Sequence, residues 1–315
     1  MISITTARRM VSSAARFAGL LTVTATMFPS GLAAQSVTPA ARFADHVVTT
    51  EWLAAHLNDP DVVVLDVTMN GKSRATRIPG ARAFPYRVLA GTTDGISLEL
   101  PPADSLRRAA ERAGVSQQSR VIVYAEEAPM ATRLLLSLRS LGLARLSYLS
   151  GGLPKWVAEG RRVEQGEPTV SAGTIAAAGS DSRGAPIVDA AWILPRLGTA
   201  GLSLIDTRTT GEYNGTGSRS GMPSAGHLEG ARQLEWEWMF DAKNPLQLKP
   251  ESELRALFEE RVRPGDVVVT YCWVGYRANA TWFVATALGL DARRYDGSYQ
   301  DRQRRKLPTK AGGTP

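Results

Sequence analysis

At 315 residues, with 43% hydrophobic and 21% charged residues, the chain has enough apolar material for two globular cores. Its formal charge of +7 falls to +4 once Arg8, Arg9 and Arg16 of an acid-free N-terminal segment are set aside (7 − 3 = 4). No basic–aromatic platform accompanies that charge, so nothing argues for nucleic acid, while a small anionic ligand is compatible with it. One cysteine, Cys272, rules out an internal disulfide.

Residues 1–34 read as a secretory signal. Arg8, Arg9 and Arg16 give the positive start, residues 17–28 the apolar stretch, and Leu32-Ala33-Ala34 a small-residue cleavage site before Gln35. The apolar run is too short to span a bilayer, and no later segment is apolar enough, so no stable membrane insertion is expected once the signal is removed. The implied location is periplasmic or secreted. A free thiol there is open to oxidation, and its presence wants a reason.

After a lead-in without periodicity, Thr49 or Thr50 caps a short helix through Trp52 and Leu57. A β-branched run over 61–67 predicts a buried strand ending near Asp66, and Ile78-Pro79-Gly80-Ala81-Arg82 predicts a turn. An amphipathic helix over 103–113 stops at Gly114. A strand follows over 120–124, a helix over 130–141 stopped by Gly142, and a strand over 145–149. Strands alternating with helices imply α/β architecture, a parallel sheet flanked by helices. Residues 161–186, rich in Gly, Ala and Ser with Pro168 and Pro186, read as a linker.

The pattern then returns. Val63-Val64-Leu65-Asp66 recurs as Ser203-Leu204-Ile205-Asp206, Gly80-Ala81-Arg82 as Gly230-Ala231-Arg232, and Val121-Ile122-Val123-Tyr124 as Val268-Val269-Thr270-Tyr271. A repeat this long is a duplicated domain rather than a solenoid unit. The expected halves are 45–160 and 187–308. Ala125 of the first stands where Cys272 stands in the second, and the first copy's loop carries Glu126 and Glu127, which would repel an anion. Only the second copy is equipped for thiolate chemistry.

Cys272 follows the strand-forming run 266–271 and precedes an apolar helical stretch over 278–288 stopped at Gly289. It therefore lies at the carboxyl end of a strand, on a turn that opens a helix, where open α/β sheets hold ligands. The first helical amides lack internal partners and carry the positive end of the dipole, so they favour a thiolate. Gly275 lets the backbone curl and aim several N–H groups at one sulfur. This reading requires the sulfur to be reachable at the mouth of the ring.

With Asp206-Thr207-Arg208, Gly226-His227-Leu228-Glu229-Gly230-Ala231, the Cys272 loop and Tyr295-Asp296-Gly297-Ser298-Tyr299, the chain resembles the tandem rhodanese family, the thiosulfate and 3-mercaptopyruvate sulfurtransferases, over roughly 45–308. The resemblance implies two rhodanese-like domains, the first inactive. It also implies that Cys272 takes a sulfane sulfur from a donor, holds it as a persulfide, and passes it to an acceptor such as cyanide or a thiol. No metal or nucleotide cofactor is then needed, and an ionised thiol needs no general base. Two departures bear on the donor. Tandem members resemble one another in loops such as Cys-Arg-Lys-Gly-Val-Thr, whereas this one is Cys-Trp-Val-Gly-Tyr-Arg, without the basic pair and with Trp273 and Val274 making the mouth apolar. An arginine near the position of Glu212 is also replaced. Thiosulfate is favoured over 3-mercaptopyruvate.

Tyr276 and Arg277 complete the loop. Arg277 either stiffens it and draws anions in, or pairs structurally with Glu212. Arg208 either faces the site or makes a buried pairing, and Asp206 caps or anchors the loop. His227, in a Gly-His turn, fits a fold-holding hydrogen bond better than a general base, and Trp236 and Trp238 fit packing better than a cover over the cleft. Two other functions compete. A phosphatase of related fold needs five residues between cysteine and arginine, and here there are four. A sulfur carrier would accept one sulfur without turnover.

Overall fold

The computed structural model describes residues 42–314, apart from 73, 94, 167, 177–185, 220, 221, 224 and 225. The expected signal at 1–34 lies outside the described residues. The β-branched runs become two five-stranded parallel sheets. In the first, the order across the sheet is Val47–Val48, Leu146–Leu149, Arg120–Ala125, Val62–Thr68, Arg82–Pro85. In the second it is Ile187–Val188, Ala292–Tyr295, Val267–Tyr271, Leu202–Asp206, Ala231–Gln233. The order is the same in both. Register agrees as well, since Asp66 faces Tyr124 in one sheet and Asp206 faces Tyr271 in the other.

The longer helices fall where periodicity puts them, at Ala103–Arg112, Ala128–Ser140 and Ala278–Ala287. Thr49 caps its helix by accepting from the Trp52 amide at 3.2 Å. A helix apolar all round must be buried on every side. Ala128–Ser140 and Ala278–Ala287 meet this demand by packing on each other, each behind its own sheet. One continuous apolar core therefore runs through both copies, with Val123, Leu134 and Leu135 from the first and Val268, Ala280 and Phe283 from the second.

Periodicity gave no warning of a two-stranded hairpin in the first copy, Gly91–Thr93 with Ile96–Glu99. It reaches into the second copy. The Ser97 amide donates to Gln300 Oε1 at 3.0 Å, Gln300 Nε2 donates back to the Ser97 carbonyl at 2.8 Å, and the Leu100 amide donates to Asp296 Oδ2 at 3.2 Å. The linker also differs from its composition. In its described part, Arg77 and Glu164 form an antiparallel bridge, the Gly173 amide bonds the Glu111 carbonyl at 2.8 Å, and Ile175 is buried. It is strapped to the first copy as far as 176.

Because the core is shared, the copies unfold together. Phe283→Ala, which removes a buried ring packed on Tyr148 (centroids 5.8 Å apart), costs about 3–5 kcal/mol. Calorimetry is expected to show a single transition moved to lower temperature; two separate transitions contradict the shared core.

Candidate active site

The strand Val267–Tyr271 ends on Cys272, and the chain bends through 273–277 before the helix Ala278–Ala287 begins. Gly275 takes φ +80°, a left-handed conformation open to glycine, and the bend turns there. Among the described residues, the amides of 273–278 donate to no protein acceptor. The loop is pinned through its carbonyls instead: Cys272 O accepts from the Tyr299 amide at 2.9 Å and Trp273 O from the Gln300 amide at 3.0 Å. The Tyr295-Asp296-Gly297-Ser298-Tyr299 motif thus starts a helix, Ser298–Arg305, whose first turn holds the cysteine loop.

Behind the loop lies a buried polar network. Asp206 accepts from the Arg208 amide (3.0 Å), from Arg208 Nε and Nη2 (2.9 and 2.6 Å) and from Tyr271 Oη–H (2.7 Å). Arg208 also donates to the Gly226 carbonyl at 2.8 Å and lies 4.0 Å above the Tyr299 ring. Both residues are fully buried, and Arg208 spends its Nε and Nη2 on Asp206 and the Gly226 carbonyl, so the pair anchors the loop from behind. His227 holds the fold, stacked on Tyr213 at 3.8 Å with Nδ1 3.0 Å from the Tyr213 carbonyl. Trp236 and Trp238 pack half-buried on the core.

Arg277 and Glu212 meet as the sequence anticipates, with Nη1–Oε2 at 2.8 Å and Nη2–Oε1 at 3.1 Å. Glu212 also accepts from the Thr209 amide at 2.9 Å and from Trp273 Nε1–H. Burial pushes this carboxyl up, but the hydrogen bonds and charge of Arg277, with help from Thr209 and Trp273, hold it at about 2. Arg277 is pushed down by burial and, more strongly, up by Cys272 and Glu212.

Two expectations are corrected. Trp273 is not at an apolar mouth: its indole points inward to Glu212, edge-on to Tyr299 at 4.8 Å, and is fully buried. Of the pair, Val274 alone is partly exposed. Cys272 is not at an open mouth either, being 1% exposed. The first copy contributes Tyr86 to its surroundings, a buried residue that feels the Cys272 charge and meets the Tyr276 ring edge-on at 6.0 Å. Tyr276 Oη–H in turn donates to Glu127 Oε2 at 2.6 Å. Glu127 is therefore spent on the other copy's loop, and Glu126 is spent on Arg74, which also pairs with Asp66. The sequence reading missed Tyr86, Arg133 and Arg294. Arg133 carried a signal, as a cation in the middle of an apolar helix whose other cation, Arg139, lies in the last turn; the other two carried none.

The rhodanese-like domain family matches this chain twice, at residues 49–159 and 189–304. A thiosulfate sulfurtransferase of Azotobacter vinelandii is 30% identical over 256 residues, covering 80% of this chain and 92% of the relative. A 3-mercaptopyruvate sulfurtransferase of Escherichia coli K12 is 27% identical over 269 residues, 81% of this chain and 93% of the relative. Among solved structures, SseA of Escherichia coli, described as a 3-mercaptopyruvate sulfotransferase, superposes with a TM-score of 0.68 at 26% identity, covering 80% of this chain and 98% of that one.

Two measurements follow from this geometry. The Glu212 carboxyl is depressed in the folded state, so its contribution is present above the ordinary value of about 4.3 and fades as pH falls toward 2. Wild type is expected to lose stability between about pH 5 and pH 2 that Glu212→Gln, already weakened at neutral pH by an unpaired Arg277, does not lose; parallel pH profiles contradict this. Tyr276→Phe removes the bond to Glu127, about 1 kcal/mol, and is expected to speed Cys272 modification by a disulfide reagent roughly fivefold, read by absorbance.

Proposed function

This chain belongs to the rhodanese family and is a sulfurtransferase; from that premise we propose that Cys272 carries the sulfur, as a persulfide, between a small anionic donor and a thiophilic acceptor. The observation behind this is a single one. The only thiol in the chain sits at a strand's carboxyl end on a loop whose amides, 273–278, have no protein partner among the described residues, and the other copy has Ala125 there. Negative charge on sulfur needs donors already in place, since an anion in a dry site is stabilised by fixed dipoles rather than by water.

The chemistry is a double displacement. Cys272 sulfur, as thiolate, attacks the outer sulfur of thiosulfate; a Cys272–sulfur bond forms, the donor's S–S bond breaks, and its electron pair leaves with sulfite. The acceptor, cyanide or a thiol, then attacks the outer sulfur and restores the thiolate. Asp206, Arg208 and Glu212 act by fixing the loop, and Trp273 by filling the space beneath it. Thiosulfate is the favoured donor and 3-mercaptopyruvate the alternative. The copy carrying Ala125 is catalytically silent, and we place the protein outside the cytoplasm, on the composition of residues 1–34. With Cys272 covered, the faces around Tyr86 and Tyr276 separate for a donor to reach the sulfur.

Purified protein is expected to make thiocyanate from thiosulfate and cyanide with many turnovers, and Cys272→Ser to make none. Mass spectrometry after thiosulfate treatment is expected to find one added sulfur on Cys272. Activity kept by the serine variant removes the assignment, and a single sulfur taken up without turnover makes the protein a carrier. N-terminal sequencing of the exported form is expected to begin at Gln35.

A further inference from the structure

Two buried arginines take no part in the network behind the loop. Arg133 stands in the middle of the helix Ala128–Ser140 of the first copy and is 1% exposed. Its guanidinium donates to backbone carbonyls alone: Leu89 at 3.3 and 3.2 Å, Leu98 at 2.8 Å and Glu99 at 2.7 Å. Its Nη1 has no partner. Arg294, on the strand Ala292–Tyr295 of the second copy, is fully buried; its Nη2 pairs with the Asp296 carboxylate, and its Nε has no partner. This guanidinium lies against the cysteine loop, so closely that a Cβ on Gly275 would sit 2.1 Å from Nη1.

The two cations share one neighbourhood with the sulfur. Burial and then the like charge of Arg133 hold Arg294 well below its ordinary value, while Cys272 and Glu99 work the other way. Burial also brings Arg133 down to about 10. A buried guanidinium held only by carbonyls is costly, and leaving its hydrogens unbonded adds to the cost. An arriving oxyanion would relieve both. The loop cannot supply this itself, because Arg277 is committed to Glu212 through both of its terminal nitrogens and Val274 carries no charge.

We propose that Arg133 of the first copy and Arg294 of the second together bind the oxyanion head of the sulfur donor, sulfonate or carboxylate, beside Cys272. The copy without a cysteine thereby completes the site of the copy that has one. A cleft of about 470 Å3 borders the residues that hold the two cations: it is lined by Glu99, whose carbonyl accepts from Arg133, and by Asp296, whose carboxylate pairs with Arg294. This inference rests on the sulfurtransferase reading for the identity of the anion, and its test separates the two.

Thiosulfate, and separately 3-mercaptopyruvate, are titrated calorimetrically into Cys272→Ala protein, which binds a donor without turning it over. In that background Arg133→Met and Arg294→Met are each expected to weaken binding of the preferred donor about tenfold, and Arg294→Lys to recover part of the loss. Unchanged affinity in both methionine variants, or no binding by the parent, overturns the proposal. Arg133→Met frees three carbonyls; if its circular dichroism or melting is not native, Arg294→Met decides alone. Arginine-dependent binding alongside wild type that never gains sulfur from thiosulfate sinks the transfer reading and leaves the anion site standing.

Discussion

On the proposed reading, holding negative charge on the Cys272 sulfur inside the protein is the constraint that the rest of the structure serves. Desolvating an ion of that size costs several kcal/mol, and the offset has to come from groups fixed before the charge appears. The amides of 273–278, without a protein acceptor among the described residues, are the groups the proposal assigns to that task, on a bend that Gly275 permits. Much of the remaining structure keeps that bend from relaxing. Asp206 and Arg208 hold the floor, Glu212 fixes both Arg277 and Trp273, and the first turn of Ser298–Arg305 ties the loop carbonyls. An unsupported loop would satisfy its amides by twisting toward its own carbonyls, and the charge site would be lost.

Duplication supplies what one copy lacks. The two sheets share order and register, and the strand that ends on Ala125 is the counterpart of the strand that ends on Cys272. Their following helices pack on each other, which brings the two loops together across one core. From that position the first copy serves the second: Tyr86 meets the Tyr276 ring edge-on, Glu127 takes the Tyr276 hydroxyl, and the hairpin reaches Asp296 and Gln300.

What the sequence disclosed and what it hid divide along chain distance. The strands were legible because Val62–Thr68 and Val267–Tyr271 are β-branched runs that fit little else. Cys272 was legible from its strand–turn–helix setting, and the Glu212–Arg277 pair from the family pattern. The contacts of the first copy with the cysteine loop were not, since Tyr86 and Glu127 reach Tyr276 through packing of two distant segments, which no local pattern encodes. Trp273 was misread for a different reason. An indole after the cysteine looks like part of an apolar mouth, but its direction is set by the turn and by a buried acceptor, Glu212, sixty-one residues away. Arg133 had a visible signature as a cation in mid-helix, away from the helix end where Arg139 sits, and it went unread because a helix long enough to be buried all round is usually taken as packing alone.

The same geometry separates this site from a phosphate-cleaving one. A phosphatase loop must wrap three equatorial oxygens and present a free guanidinium to them. Here only four residues stand between Cys272 and Arg277, and both terminal nitrogens of Arg277 are already engaged by Glu212 at 2.8 and 3.1 Å. Releasing that arginine would leave a carboxylate buried without its ion pair, a penalty of about 3–5 kcal/mol, more than one new contact to phosphate returns. A ring of this size and charge fits the proposed single sulfur better than a phosphate. Any cation that greets the remainder of the donor has to come from outside the loop.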